Sequence, residues 1–114
     1  MDLTFKSIID ALPCYIMIQD QDYKILFANQ KLKSDFGDDI ISLSCYSVLK
    51  GSHHQCNVCP VRKTFKDKKV HIIEETIHLS DGTVIEMIAY SAPLFDAVGN
   101  VRACIKLLVN VGTI

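Results

Sequence analysis

Tryptophan is absent from the 114 residues, and proline (three) and glycine (five) are scarce. So little Pro and Gly excludes a collagen-like or low-complexity chain. Charge of one sign is also missing: 12 Lys plus Arg face 13 Asp plus Glu, a net charge of −1. A general nucleic-acid binder carries a basic excess, so nucleic acid is not expected as a partner. The run from Arg62 to Lys69 holds five positive charges. It lacks interleaved exposed aromatics and reads as a solvated helix face. No apolar run approaches the roughly 18 residues that cross a bilayer, so no membrane insertion is expected. The opening Met1-Asp2-Leu3-Thr4-Phe5-Lys6 lacks the layout of a secretory signal, and the expected location is cytoplasmic. Catalytic signatures are lacking too. There is no Gly-rich phosphate loop, nucleophile elbow or usefully spaced carboxylate pair, so an enzyme is not expected.

What is present is an ordinary core-forming composition, 49% apolar, at the length of one domain. Phe5, Ile8, Ile9 and Leu12 recur at helical spacing until Pro13 ends the pattern. Two short strands, Cys14 to Asp20 and Tyr23 to Ala28, flank a polar turn. Asn29 caps a helix that stops at Gly37, and a shorter helix around Ser44 to Leu49 stops at Gly51. Pro60 opens a helix to about Lys68. The rest is strand: Val70 to Leu79 and Val84 to Phe95 around Asp81-Gly82, then Val101 to Val111. In that last strand Val101, Ala103, Ile105, Leu107 and Val109 share one face, and Arg102, Cys104, Lys106 and Asn110 the other. The alternation places Cys104 on the polar, exposed side. This order predicts an α+β fold, a five-stranded antiparallel sheet with short helices packed on one face.

Cysteine is the unusual part of the composition. Cys14, Cys45, Cys56, Cys59 and Cys104 are too few for a disulfide scaffold, and an odd number cannot all pair within the chain. Three readings of Cys45, Cys56 and Cys59 stay open. They form a metal site, zinc or an iron–sulfur cluster, with His53 or His54 as a fourth ligand. Alternatively Cys56 and Cys59 form a reversible redox pair, favoured by the helix that Pro60 opens and by Arg62 and Lys63 in its first turn. In the third reading they are small buried hydrophobes that pin a loop. One further residue stands out: Glu75 shares strand phase with Ile73, Ile77 and Leu79, so it points inward, and a buried carboxylate needs a partner or a ligand.

Particular segments carry a family resemblance. They are Ile8-Ile9-Asp10-Ala11-Leu12-Pro13, Ile25-Leu26-Phe27-Ala28-Asn29 leading into a helix, Asp81-Gly82-Thr83, Ser91-Ala92-Pro93-Leu94-Phe95-Asp96, and Gly99-Asn100-Val101. In this order the chain resembles a PAS sensor domain over its whole length: one domain, 1–114, with an N-terminal helix (1–13) and a core (14–111) that carries the Cys loop (45–60). Cys45-Tyr46, Gly51 and Cys56-Asn57-Val58-Cys59-Pro60 resemble a variant found in bacterial and archaeal sensory histidine kinases and cyclic-dinucleotide enzymes. The resemblance implies a sensory module of signal transduction, in a two-component or related system. Its implied partners are a second copy in a homodimer and a kinase, cyclase or other output domain or protein. It also implies a ligand cavity between sheet and helices, lined by Ile16, Phe27, Phe36, Val48, Phe65, Ile73, Glu75, Ile77 and Tyr90. The cofactor stays open between none, zinc and an iron–sulfur cluster. Light-sensing flavin is disfavoured because the Asn-Cys-Arg-Phe-Leu-Gln signature is absent around Cys45. Haem is disfavoured because the Pro60–Lys68 helix has no His. The usual Asp-Ile-Thr segment before an output helix reads Asn110-Val111-Gly112-Thr113-Ile114 here. The chain is therefore either a piece of a longer protein or a module that acts by binding.

Overall fold

The computed structural model describes residues 4–51, 59–79 and 81–111. In chain order the elements are α1 (Phe5–Asp10), β1 (Tyr15–Gln19), β2 (Ile25–Ala28), α2 (Gln30–Phe36), α3 (Cys45–Lys50) and α4 (Pro60–Asp67). Then follow β3 (His71–His78), β4 (Val84–Phe95) and β5 (Val101–Asn110). The strands form one five-stranded sheet in the order β2-β1-β5-β4-β3, with every pairing antiparallel. The α+β class and the five-stranded sheet are therefore as expected from sequence.

Local chemistry sets the element ends. The Thr4 hydroxyl caps α1 by accepting from Ser7 N at 3.2 Å. The Asp20 carboxylate accepts from Asp22 N (2.9 Å) and Lys24 N (3.0 Å), closing the β1–β2 turn, and Asp81 and Asp96 make equivalent Asx turns ahead of Thr83 and Asn100. Gly51 ends α3 in the left-handed region (φ 59°), where a side chain would be strained. Pro60 occupies the first position of α4, where its missing N–H costs nothing.

Asn29 does more than cap α2. Its Oδ1 accepts from Leu32 N at 3.2 Å and from Ile16 N at 3.1 Å. Its Nδ2 donates to the Cys14 carbonyl at 2.8 Å. One fully buried amide thus joins the end of β2, the start of α2 and the strand beside it.

The sheet has two unlike faces. Tyr15, Met17, Ile25, Ala28, Ile77, Met87, Ala89 and Leu108 form the core on the helix-covered face, with Leu32, Ile40, Cys45 and Leu49 from the covering segments. A smaller cluster, Cys59, Val61 and Cys104, lies under α4 with Phe65 and Val101. On the opposite face, register pairs Ile16 with Leu107 and Ile18 with Ile105, and Tyr90 with both Leu107 and Ile72.

The face assignment of β5 needs correction. Cys104 (0% exposed) and Lys106 (2%) lie on the helix-covered face beside Leu108. The apolar set, Ile105, Leu107 and Val109, lies on the other. Alternation identifies two faces, but hydrophobicity picks the wrong one here, because the charge of Lys106 is compensated inside the protein.

Asn29→Ala should cost about 2–3 kcal/mol, the loss of a helix cap plus backbone groups left without a buried partner. Urea unfolding measures it, and Asn29→Asp, which keeps the acceptor and loses the donor, should fall between the two.

Candidate functional site

The candidate site grows from Lys106, which β5 aims into the space under the helices. Its Nζ donates to Glu75 Oε1 of β3 at 2.9 Å and lies 3.6 Å from Cys45 Sγ, the first residue of α3. Lys50, at the other end of α3, brings a second ammonium 3.4 Å from the same Glu75 oxygen and is a quarter exposed. Between Lys106 and Glu75 the β4 residues on that face include Ala89 and Ser91, both fully buried. Their small side chains leave room for the lysine stem to cross β4. Burial alone would push the lysine's pKa down, but the Cys45 sulfur and the Glu75 carboxylate beside it more than offset this and raise the pKa. Lys106 is therefore a buried ammonium.

Hydrogen-bonding capacity remains unused on the covered face. Among the described residues, Glu75 Oε2 and Gln19 Oε1 are buried and have no partner. The Gln19 amide nitrogen lies 3.0 Å from Met17 Sδ, a weak acceptor. Buried polar atoms without partners are rare and call for an explanation. Nearby, Phe36, Ile40, Val48, His78 and Leu79 line a partly open cleft of about 370 Å³.

The residues expected from sequence divide between these places. Ile73, Glu75 and Ile77 lie on the covered face, Phe36 and Val48 line the cleft, and Phe65 packs in the smaller cluster under α4. Two expectations are corrected. Tyr90 is 37% exposed on the outer face, because its neighbours Ala89 and Ser91 take the inward phase. Phe27 is outward as well, paired with Ile18 and in a tilted contact with the ring of Phe5 in α1, centroids 5.5 Å apart. Ile16 is buried on that same outer side.

Of the expected metal and redox residues, Cys45 and Cys59 are buried thiols, while Cys56 and His53 lie outside the described residues. Among the described residues no group of three or more His, Cys, Asp or Glu is placed to hold a metal ion. Burial pushes the Cys104 thiol up to about 11, so it is a protonated, inert thiol at neutral pH. Sequence reasoning missed Lys106, Lys50 and Gln19. The usable signal was a lone lysine in Ala103-Cys104-Ile105-Lys106-Leu107-Leu108 matched by a lone inward carboxylate two strands away.

Comparison with known proteins decides the family. A family model described as PAS domain matches residues 13–112. The chain belongs to the PAS domain family. PAS domains are sensory and signalling modules, and solved members share this fold. VqmA bound to DPO superposes with a TM-score of 0.73 at 16% identity, covering 93% of this chain and 55% of that one. The PAS domain of BvgS from Bordetella pertussis gives 0.64 at 15%, covering 95% and 83%. The PAS domain of a Colwellia psychrerythraea protein gives 0.77 at 11%, covering 92% of each. The chain thus spans about half the length of VqmA, a protein that has also been solved as a dimer in Vibrio cholerae and in complex with ligand and DNA. No curated protein sequence matches the chain. No helix among the described residues is long and apolar enough to cross a membrane.

The ion pair of this PAS domain carries a stability test. Lys106→Met strands Glu75 in the core and should cost about 3 kcal/mol, the low end for breaking a buried pair because Lys50 remains nearby. Adding Glu75→Leu should return stability to within about 1 kcal/mol of the unsubstituted protein. Urea unfolding of the two single variants and the double variant checks the cycle.

Proposed function

We propose that this PAS domain is a cytoplasmic sensory module and not an enzyme. It takes a small polar ligand on the helix-covered face and relays the change to a kinase, cyclase or other output. The observation that carries this reading is a buried acceptor without a partner, Glu75 Oε2, beside an ammonium already held by Glu75 Oε1. A ligand bearing an O–H or N–H donor would satisfy it, and such bonds to a carboxylate are among the stronger ones. Phe36, Val48, Phe65, Ile73 and Ile77 would supply apolar walls around it. VqmA, similar in fold, has been solved with DPO bound, which supports a small-molecule input without naming this one.

Relay follows from which element holds the cluster. α3 contributes Cys45 and Lys50, one at each end, so a ligand that draws Glu75 or Lys106 away changes both anchors of that helix. The ligand shifts the balance only by its differential affinity for the two packings.

For output, a second copy of the chain is the partner that fits the outer face. Ile72 (61% exposed), Tyr90, Leu94 and Val109 leave apolar surface there, and Phe5, Ile8 and Leu12 add more from α1 and the residues after it. Apolar surface of that extent marks an interaction site. A twofold interface would use this same patch on both copies.

Thermal-shift and calorimetric titration with neutral hydroxy- and amino-substituted heterocycles and small amides should find binders. Glu75→Gln should weaken them about tenfold, the loss of one good hydrogen bond. Binding that this substitution leaves unweakened, or no binding across the series, would count against the ligand reading. Sedimentation should show a dimer at micromolar concentration that Ile72→Glu with Tyr90→Glu converts to monomer. A monomeric unsubstituted protein removes the dimer reading.

A further inference from the structure

The Lys106 cluster has a second consequence, independent of any ligand. Two ammoniums, Lys106 and Lys50, face one carboxylate, Glu75. Among the described residues, the thiol in contact with Lys106 is that of Cys45, whose Sγ lies 3.6 Å from Nζ and which as a thiolate would balance the second positive charge. Both residues are buried, Lys106 at 2% and Cys45 at 7% exposed, so their attraction is little screened by water. An ammonium beside a thiol is the environment that makes a thiolate, the nucleophilic form of cysteine. Among the described residues, the charged and titratable groups of this cluster are Lys106 from β5, Glu75 from β3 and Lys50 from the end of the same helix, with Cys59 ahead of α4 near Lys106.

We propose that Cys45 is held as a thiolate by Lys106 and is the peroxide-reactive residue of this domain. The co-reactant is hydrogen peroxide or another small hydroperoxide, which needs little access to a nearly buried sulfur. The thiolate sulfur attacks one peroxide oxygen. The S–O bond forms with two electrons from sulfur while the O–O bond breaks. The departing hydroxide takes a proton from the Lys106 ammonium and leaves as water. Cys45 becomes a sulfenic acid, oxidised by two electrons, and the peroxide is reduced by the same two. Lys106 then regains its proton from solvent or from the sulfenic acid, restoring the charge that Glu75 holds.

Cys104 and Cys14 lack this arrangement. Cys104 points to the Val61 carbonyl at 4.0 Å and is raised by burial to about 11. Cys14 is likewise raised by burial, which outweighs the charge of Lys31. Oxidation at Cys45 would place a new oxygen at the root of α3 and in the cluster that holds Glu75. The structural change would then use the same helix as ligand binding.

The test treats the protein with equimolar hydrogen peroxide in the presence of dimedone and maps the adducts by peptide mass spectrometry. Cys45 should be recovered as the dimedone adduct, or as a disulfide with another thiol of the chain, at least about tenfold faster than Cys14 or Cys104. Lys106→Met with Glu75→Leu, the pair expected to keep the fold, should remove that advantage. It should also raise the pH midpoint of Cys45 alkylation by iodoacetamide. Lys106→Arg, which keeps the charge, should retain most of the reactivity. Cys45 labelling no faster than Cys104, or equally fast in the folded double variant, overturns the proposal. Neither outcome touches the ligand reading, which is measured without oxidant.

Discussion

A positive charge inside a small protein is the condition the rest of this domain has to meet. Removing an ammonium from water costs several kcal/mol even after the surroundings relax, and attraction to a partner returns that only when the geometry is close. Lys106 meets the condition with a carboxylate from β3, a sulfur from α3 and two small residues, Ala89 and Ser91, along its path. The pair therefore joins strands that are not neighbours in the sheet: β4 lies between β5 and β3. A buried ion pair of this kind adds little net stability over an apolar replacement. What it adds is dependence: β3, β5 and α3 share one electrostatic contact.

α3 is the element most exposed to that dependence. It has six residues, and the side chain of its N-cap, Ser44, makes no capping hydrogen bond. A helix so short has little stability of its own. Its start is tied to the sheet edge instead. Cys45 N donates to the Tyr23 carbonyl at 2.8 Å, and just before it Ile25 N donates to Leu43 O at 2.9 Å. A bridge between Lys24 and Ser44 extends that edge pairing. The first residue of the helix thus carries both a backbone tie to the β2 edge and a side-chain contact with Lys106, and its last residue, Lys50, meets Glu75. Only the side-chain contacts can be altered by chemistry at the site.

The sequence was legible where a residue does one local job. Asn29, Gly51, Pro60 and the Asp81-Gly82 turn mark element ends by cap, left-handed backbone, fixed φ and Asx turn, and each is decided within a few residues. Glu75 was legible too, as an inward carboxylate in need of a partner. That partner was not, because it depends on sheet order, and strand order is not written in any single strand. The same gap misplaced the two faces of β5. Binary pattern assumes that the buried face is the more apolar one, yet here the covered face carries Cys104 and Lys106 while the apolar set faces out. Tyr90 and Phe27 fell to that assumption as well, since large apolar rings were read as cavity lining. In the fold, Phe27 meets Phe5 of α1 and Tyr90 stands in the open outer face.

That inversion bears on how a signal could leave the domain. A sheet with one apolar face buries it and stops there. This sheet keeps polar capacity under its helices and apolar surface on its outside, and the residues of the two faces alternate along the same strands. On β5, Lys106 looks in and Leu107, its neighbour, looks out toward Tyr90 and Ile16. On β3, Glu75 looks in between the outward Glu74 and Thr76, one turn of the pleat from Ile72. A shift of backbone that moves Lys106 or Glu75 must move these outward neighbours in the same step, because adjacent residues share a peptide plane. Distance therefore imposes no separate requirement on coupling between the covered cluster and the outer face. What coupling needs is a second stable packing of α3, and a six-residue helix whose two ends both meet the Glu75–Lys106 pair is the element of this fold best placed to have one.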